Sequence, residues 1–153
     1  MSIFHSMNTT ASALTSQRLR MDVISSNMAN VDTTRGRLVN GEWEPYRRKS
    51  VTMRPLEGQF SSFLNVAIGH SRKNNVGNGV KVSSIKDDME TPFKLVFDPT
   101  HPDADADGYV EMPNVDPLRE MVDLISATRS YEANVTVFNA NKAMLTKALE
   151  IGK

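Results

Sequence analysis

The chain has no cysteine among its 153 residues. Disulfides, thiol catalysis and cysteine-held metals are therefore excluded. Aromatics make up 7% and hydrophobics 39% of it, which is thin for one compact core and suits an elongated protein or a subunit completed by partners. The formal charge is zero and the pI near 6.8, so no global electrostatic drive toward nucleic acid or membrane exists. No run approaches the 18 apolar residues of a transmembrane helix, and no basic segment followed by an apolar one opens the chain. Neither membrane insertion nor a cleaved signal peptide is expected.

What is present sits at the two ends. Apolar residues recur at three- and four-residue steps from Ile3 to Val31, and again from Leu118 to Leu149. Each pattern is the mark of an amphipathic helix. The first is rich in serine and threonine and interrupted by Arg18, so it is a marginal helix that needs tertiary packing. Asp32-Thr33-Thr34-Arg35-Gly36 reads as its exit turn. The last is better specified: Asp116 is a good N-cap, Pro117 falls where a missing N–H costs nothing, and Gly152 ends it. A helix over 117–151 is expected.

Between the ends, Val80–Val82 and Phe93–Phe97 alternate as strands do. Tyr46–Met53 and Phe60–Ile68 are weaker strand candidates, and Gly69–Gly79 reads as a loop. The expected fold class is α+β: two long terminal helices packed as a coiled-coil-like pair, with a small β-rich insert and long loops. The expected domains are 1–31 with 115–153, helical, and 32–114, the insert.

Charge is uneven in that insert. Residues 35–54 are basic, residues 87–111 acidic. Two solvated loops are the expected reading, since like-charged runs are usually solvated faces; a pairing of the basic with the acidic patch, within one copy or between copies, is the alternative. Trp43 beside Arg47-Arg48-Lys49 admits nucleic acid, but Glu42 and Glu44 oppose it, and a partner-facing anchor or a small-core tryptophan fits better. Asp103, Asp105, Asp107 and Gly108 match the opening of a calcium loop. The twelfth position, which should be glutamate, is Asn114, and no helix precedes the loop. Calcium binding stands as the alternative function. The three histidines lie far apart, and no nucleophile–base set or phosphate-cradling loop is visible. An enzyme is not expected, nor any cofactor.

Ala13-Leu-Thr-Ser-Gln-Arg-Leu-Arg-Met-Asp-Val-Ile-Ser-Ser-Asn-Met-Ala-Asn-Val-Asp-Thr-Thr-Arg-Gly36 closely resembles the N-terminal signature of the flagellar basal-body rod and hook proteins. The stretch His101–Asp116 and the tail Arg129–Leu145 resemble the same family, and the short insert suits its proximal rod members. The resemblance implies a structural, torque-transmitting subunit located in the flagellar basal body. Its terminal helices would pair in the inner shell of a tube, with the β-rich region outside. It implies export through the flagellar type III apparatus. The partners would be copies of itself, other rod proteins and basal-body proteins. The assembly interface expected on the terminal helices comprises Leu14, Met21, Ile24, Asn27, Met28 and Asn30 on the first, and Leu118, Ile125, Tyr131, Val135, Phe138, Asn141 and Leu145 on the last. Leu118, Ile125, Val135, Phe138 and Leu145 are expected to pack on the first helix, and the asparagines to fix register. Because burial of the weak first helix only balances its ordering entropy in a monomer, the ends are expected to stay largely disordered until neighbours add burial.

Overall fold

The computed structural model describes residues 3–56, 67–68 and 77–151. Most of the strand candidate Phe60–Ile68 and of the loop Gly69–Gly79 lies outside the described residues. The fold is α+β, with a long helix at each end and small antiparallel sheets between. The first helix, α1, runs Ile3–Ala29, two residues short of the expected end, and the last, α2, runs Pro117–Ile151 as expected. Asp116 caps α2, accepting the Leu118 N–H at 3.1 Å on its side chain and the Glu120 N–H at 3.0 Å on its carbonyl.

Among the described residues, six strands form three two-stranded sheets: β1 Arg37–Val39 with β2 Glu42–Glu44, β3 Lys49–Pro55 with β4 Val80–Asp87, and β5 Lys94–Phe97 with β6 Tyr109–Met112. The β1–β2 hairpin was not expected. Its turn is Asn40-Gly41, both at positive φ (52° and 95°), the geometry that matches strand twist in a two-residue loop. In β5–β6, Leu95 faces Glu111 and Phe97 faces Tyr109.

Two compact units are present. Unit 1 comprises Met1–Arg18, Met53–Ser83 and Arg129–Lys153. Here Thr9, Thr10, Thr15 and Ser16 each donate a side-chain hydroxyl to the carbonyl four residues earlier in α1, a habit that weakens and bends helices. Thr10 and Ser16 are the buried residues of this stretch, and Leu14 is half-buried. The Ser12 hydroxyl accepts the Val80 N–H at 3.1 Å, and Asn141 donates to Ser6 at 2.8 Å.

Unit 2 comprises Leu19–Thr52 and Ser84–Thr128. Its apolar core is small: Val23, Ile24, Val110, Val115 and Ala127. The helices run antiparallel here, since Met21 meets Thr128 and Asn27 meets Glu120.

Candidate assembly surface and the polar lock behind it

The α2 segment in unit 2 is inside-out. Glu120 and Ala127 are wholly buried, whereas Leu118 is 75% exposed and Ile125 55%. Met121 and Val122 are exposed beside them. Spacing of three and four residues places Leu118, Val122 and Ile125 on one face and Glu120 and Ala127 on the opposite one. The expectation that Leu118 and Ile125 pack on the first helix is thus not met within one chain. A polar lock holds the helix the other way round.

Asn27 is the centre of that lock. Its amide nitrogen donates to the Lys49 carbonyl and to a Glu120 carboxylate oxygen, both at 2.9 Å. Its amide oxygen accepts the Lys49 N–H at 2.9 Å and the Tyr46 hydroxyl at 3.0 Å. Both donors and both acceptor positions are used, so full burial costs this side chain no lost hydrogen bond. Arg48 Nε donates to the other Glu120 oxygen at 2.6 Å. The Arg48 backbone N–H goes to Asn114 Oδ1 at 2.7 Å, and Asn114 in turn donates to the carbonyls of Asp88 and Thr91. Arg20 bonds Asp123 at 3.1 Å on the same helix. The lock thus ties the end of α1, the start of β3 and the first turns of α2.

The exit turn is built onto it. Asn30 donates to the Ser26 carbonyl and accepts from Thr33. The Thr33 carbonyl accepts the Tyr46 N–H at 3.0 Å. A Cβ on Gly36 would lie 2.6 Å from Tyr46 N, so only glycine lets these two strands of chain approach.

The chain matches the family model described as "Flagella basal body rod protein" over residues 7–36, which spans Asn27, Asn30, Thr33 and Gly36. It matches "Flagellar basal body rod FlgEFG protein C-terminal" over residues 106–151. It is 64% identical to the flagellar basal-body rod protein FlgC of Bacillus subtilis (strain 168), over all of both chains. It is 45% identical to FlgC of Borreliella burgdorferi, covering 99% of this chain and 98% of that one. It is 39% identical to FlgC of Salmonella typhimurium, again over both whole chains. The chain belongs to the FlgC family of flagellar basal-body rod proteins. It is a structural rod subunit.

The rod subunit's expected interface residues fall into three groups. Ile24 and Asn27 are buried in unit 2. Leu118 and Ile125 are exposed. Leu14, Met21, Met28, Asn30, Tyr131, Val135, Phe138, Asn141 and Leu145 are half-buried, each with surface left to cover. Residues 35–54 and 87–111 prove partly paired within one copy, through Arg35 and Asp103. Trp43 is 56% exposed and lies across the hairpin from Leu38, so it is no core residue.

The Asp103–Gly108 stretch is a turn, and nothing supports calcium there. Asp103 is taken by Arg35, at 2.8 and 2.5 Å, and by the Thr34 hydroxyl at 2.8 Å. Asp105 accepts the Ala106 N–H, and Gly108 takes the positive φ of 80°. Among the described residues no group of three His, Cys, Asp or Glu could hold a metal ion. Among the same residues, no helix is long and apolar enough to cross a membrane. The Arg35 hydrogen bond, and then that of Thr34, holds the Asp103 carboxyl below its ordinary 3.8. A lowered value in the folded state means the contact stabilises fully above the ordinary value and is lost as pH falls through the lowered one. In an NMR carboxyl titration Asp103 is expected to protonate below 3.8, and Arg35→Gln to move that midpoint back up. An unmoved midpoint refutes the pairing.

Proposed function

We propose that the subunit polymerises through its terminal helices, with copies of itself and with other rod proteins, into the axial shaft that transmits torque. In this reading 1–31 and 115–153 form the inner tube, 32–114 the outer, β-rich part, and the expected interface residues serve as its helical seam. The chain is exported through the flagellar type III apparatus without a cleaved signal peptide. It acts without catalysis, cofactor, nucleic acid or membrane insertion.

The observation that carries this reading is the inside-out α2. A helix that buries a glutamate and shows Leu118, Met121, Val122 and Ile125 to water has its apolar face reserved for a neighbour. The first half of α1 supports it as well: its buried residues are Thr10 and Ser16, so neighbours complete its apolar burial. The deciding variant is Ile125→Asp. Because Ile125 is exposed, monomer stability should stay within about 0.5 kcal/mol of wild type in urea. Recovery of the variant in purified basal bodies should be lost. Normal incorporation would overturn the α2 face as a seam. Ile24→Asp would not serve, since Ile24 is core and the substitution reports on the fold itself.

A further inference from the structure

Asparagine is among the chemically labile residues, and most so before glycine. Glycine has no side chain to shield its backbone nitrogen, and that nitrogen can attack the side-chain amide carbon of the asparagine before it. Asn-Gly occurs twice in the chain, at Asn40-Gly41 and at Asn78-Gly79. By sequence the two sites are equals. Their surroundings are opposite.

Asn40-Gly41 is the apex of the β1–β2 hairpin, and both residues are exposed. A Cβ on Gly41 would meet nothing within 4 Å. Among the described residues neither the Asn40 side chain nor the Gly41 N–H has a hydrogen-bond partner. The hairpin itself is a weak restraint. Its strands have three residues each and form a two-stranded sheet of their own, the least stable kind. Such a turn opens locally at little cost, which lets the Asn40 side chain reach the Gly41 nitrogen. Asn78-Gly79 is clamped instead. Both of its residues are half-buried. The peptide that follows Gly79 is held on both sides: the Gly79 carbonyl accepts the Leu56 N–H at 2.8 Å, and the Val80 N–H goes to the Ser12 hydroxyl at 3.1 Å. A Cβ on Gly79 would run into the Ser12 side chain and lie 3.5 Å from Thr9 Cα. The Gly79 nitrogen is therefore not free to swing onto the Asn78 side chain while this packing stands.

We propose that Asn40 is a site of spontaneous deamidation and that the fold protects Asn78. At position 40 the Gly41 nitrogen bonds to Asn40 Cγ, the Cγ–Nδ2 bond breaks, and the Gly41 amide proton leaves with Nδ2 as ammonia. The product is a succinimide ring. Solvent water opens that ring at either of its carbonyls. One opening gives aspartate, the other isoaspartate, in which the backbone runs through the side-chain carbon. The isoaspartate lengthens by one carbon a turn whose fit to strand twist depends on its having two residues. The register that sets Leu38 against Trp43 and Arg37 against Glu44 is then lost. Leu38 and Trp43, both 56% exposed, thus form a surface that changes with the age of the chain.

The test incubates the full chain at mildly alkaline pH, digests it, and follows the Asn40 and Asn78 peptides by mass spectrometry, where replacement of the amide nitrogen by oxygen shifts the mass. In the native chain Asn40 should convert at least about tenfold faster than Asn78, a spread that local opening against a packed segment readily supplies. In urea the two should convert at similar rates. A native ratio near one, or the same ratio in urea as in the folded chain, overturns the proposal. Asn40→Gln, which would have to close a larger ring, should leave position 40 unconverted over the same time. A protease that cuts before aspartate but not before isoaspartate separates the two products. Trp43 is the single tryptophan, so its fluorescence reports on the hairpin. The isoaspartate form should move that emission toward the urea-unfolded chain's, whereas Asn40→Asp, which brings the charge without lengthening the backbone, should not. Unchanged emission in the isoaspartate form overturns the loss of register.

Discussion

Glu120→Ala is expected to lower the stability of the subunit by about 3–5 kcal/mol, the usual cost of stranding one member of a buried ion pair. The carboxylate is wholly buried and takes both Arg48 Nε and the Asn27 amide. Without it, Arg48, whose side chain is 14% exposed, keeps only a 3.5 Å approach to Asp123. Asn27 loses one of its four hydrogen bonds at a site water does not reach. Urea unfolding should show the loss as a lower midpoint at unchanged slope. Arg48→Met alone should also be costly, because it leaves the carboxylate unpaired. Arg48→Met/Glu120→Leu should be milder than the sum of its parts, since no charge then remains to be stranded. Additive losses would mean that Arg48 and Glu120 do not act as a pair.

A second large effect is expected at Gly36. Its absent side chain is what allows close approach: a Cβ would sit 2.6 Å from Tyr46 N and 2.7 Å from Tyr46 Cα. Those are backbone atoms, so the strain cannot be relieved by turning a rotamer. Tyr46 is held by the Thr33 carbonyl on one side and bonds Asn27 with its hydroxyl, so a displacement there reaches the lock. Gly36→Ala should cost about 1–3 kcal/mol, the range for overpacked sites. Gly77→Ala is the matched control, because a Cβ there meets nothing within 4 Å and should be neutral to within about 0.5 kcal/mol. Equal behaviour of the two variants would dissociate the exit turn from the stability of the lock.

Local rules made the helices legible. Asp116-Pro117 and the apolar period of α2 predict its observed bounds because capping, proline chemistry and periodicity all act within a few residues. The alternation at residues 80–82 and 93–97 likewise marks parts of β4 and β5. The β1–β2 hairpin carried a readable signal, Asn40-Gly41 between short apolar pieces, but strands of three residues are too brief to show alternation. The lock was not legible. Glu120 reads as a dipole-complementing charge in the first turn of a helix, and Arg48 as part of a basic run. Asn27 meets Lys49 across 22 positions and Glu120 across 93, a separation at which no local period operates. Pairing of those groups is set by tertiary approach, so residues that look solvated by sequence became the best-buried polar atoms of unit 2.

The hydroxyl-to-carbonyl bonds along the first half of α1 have a consequence for who can stand beside it. Thr9, Thr10, Thr15 and Ser16 satisfy their hydroxyl donors within their own helix. A donor satisfied at home strands no proton when water is removed, whichever surface removes it. The segment is therefore polar by composition yet undemanding by chemistry. At these four positions it can be covered by an identical chain or an unlike one, with no complementary acceptor required of either. A shaft assembled from several kinds of subunit needs such a permissive joint at each change of composition, and here the permissiveness is written in ordinary serine and threonine.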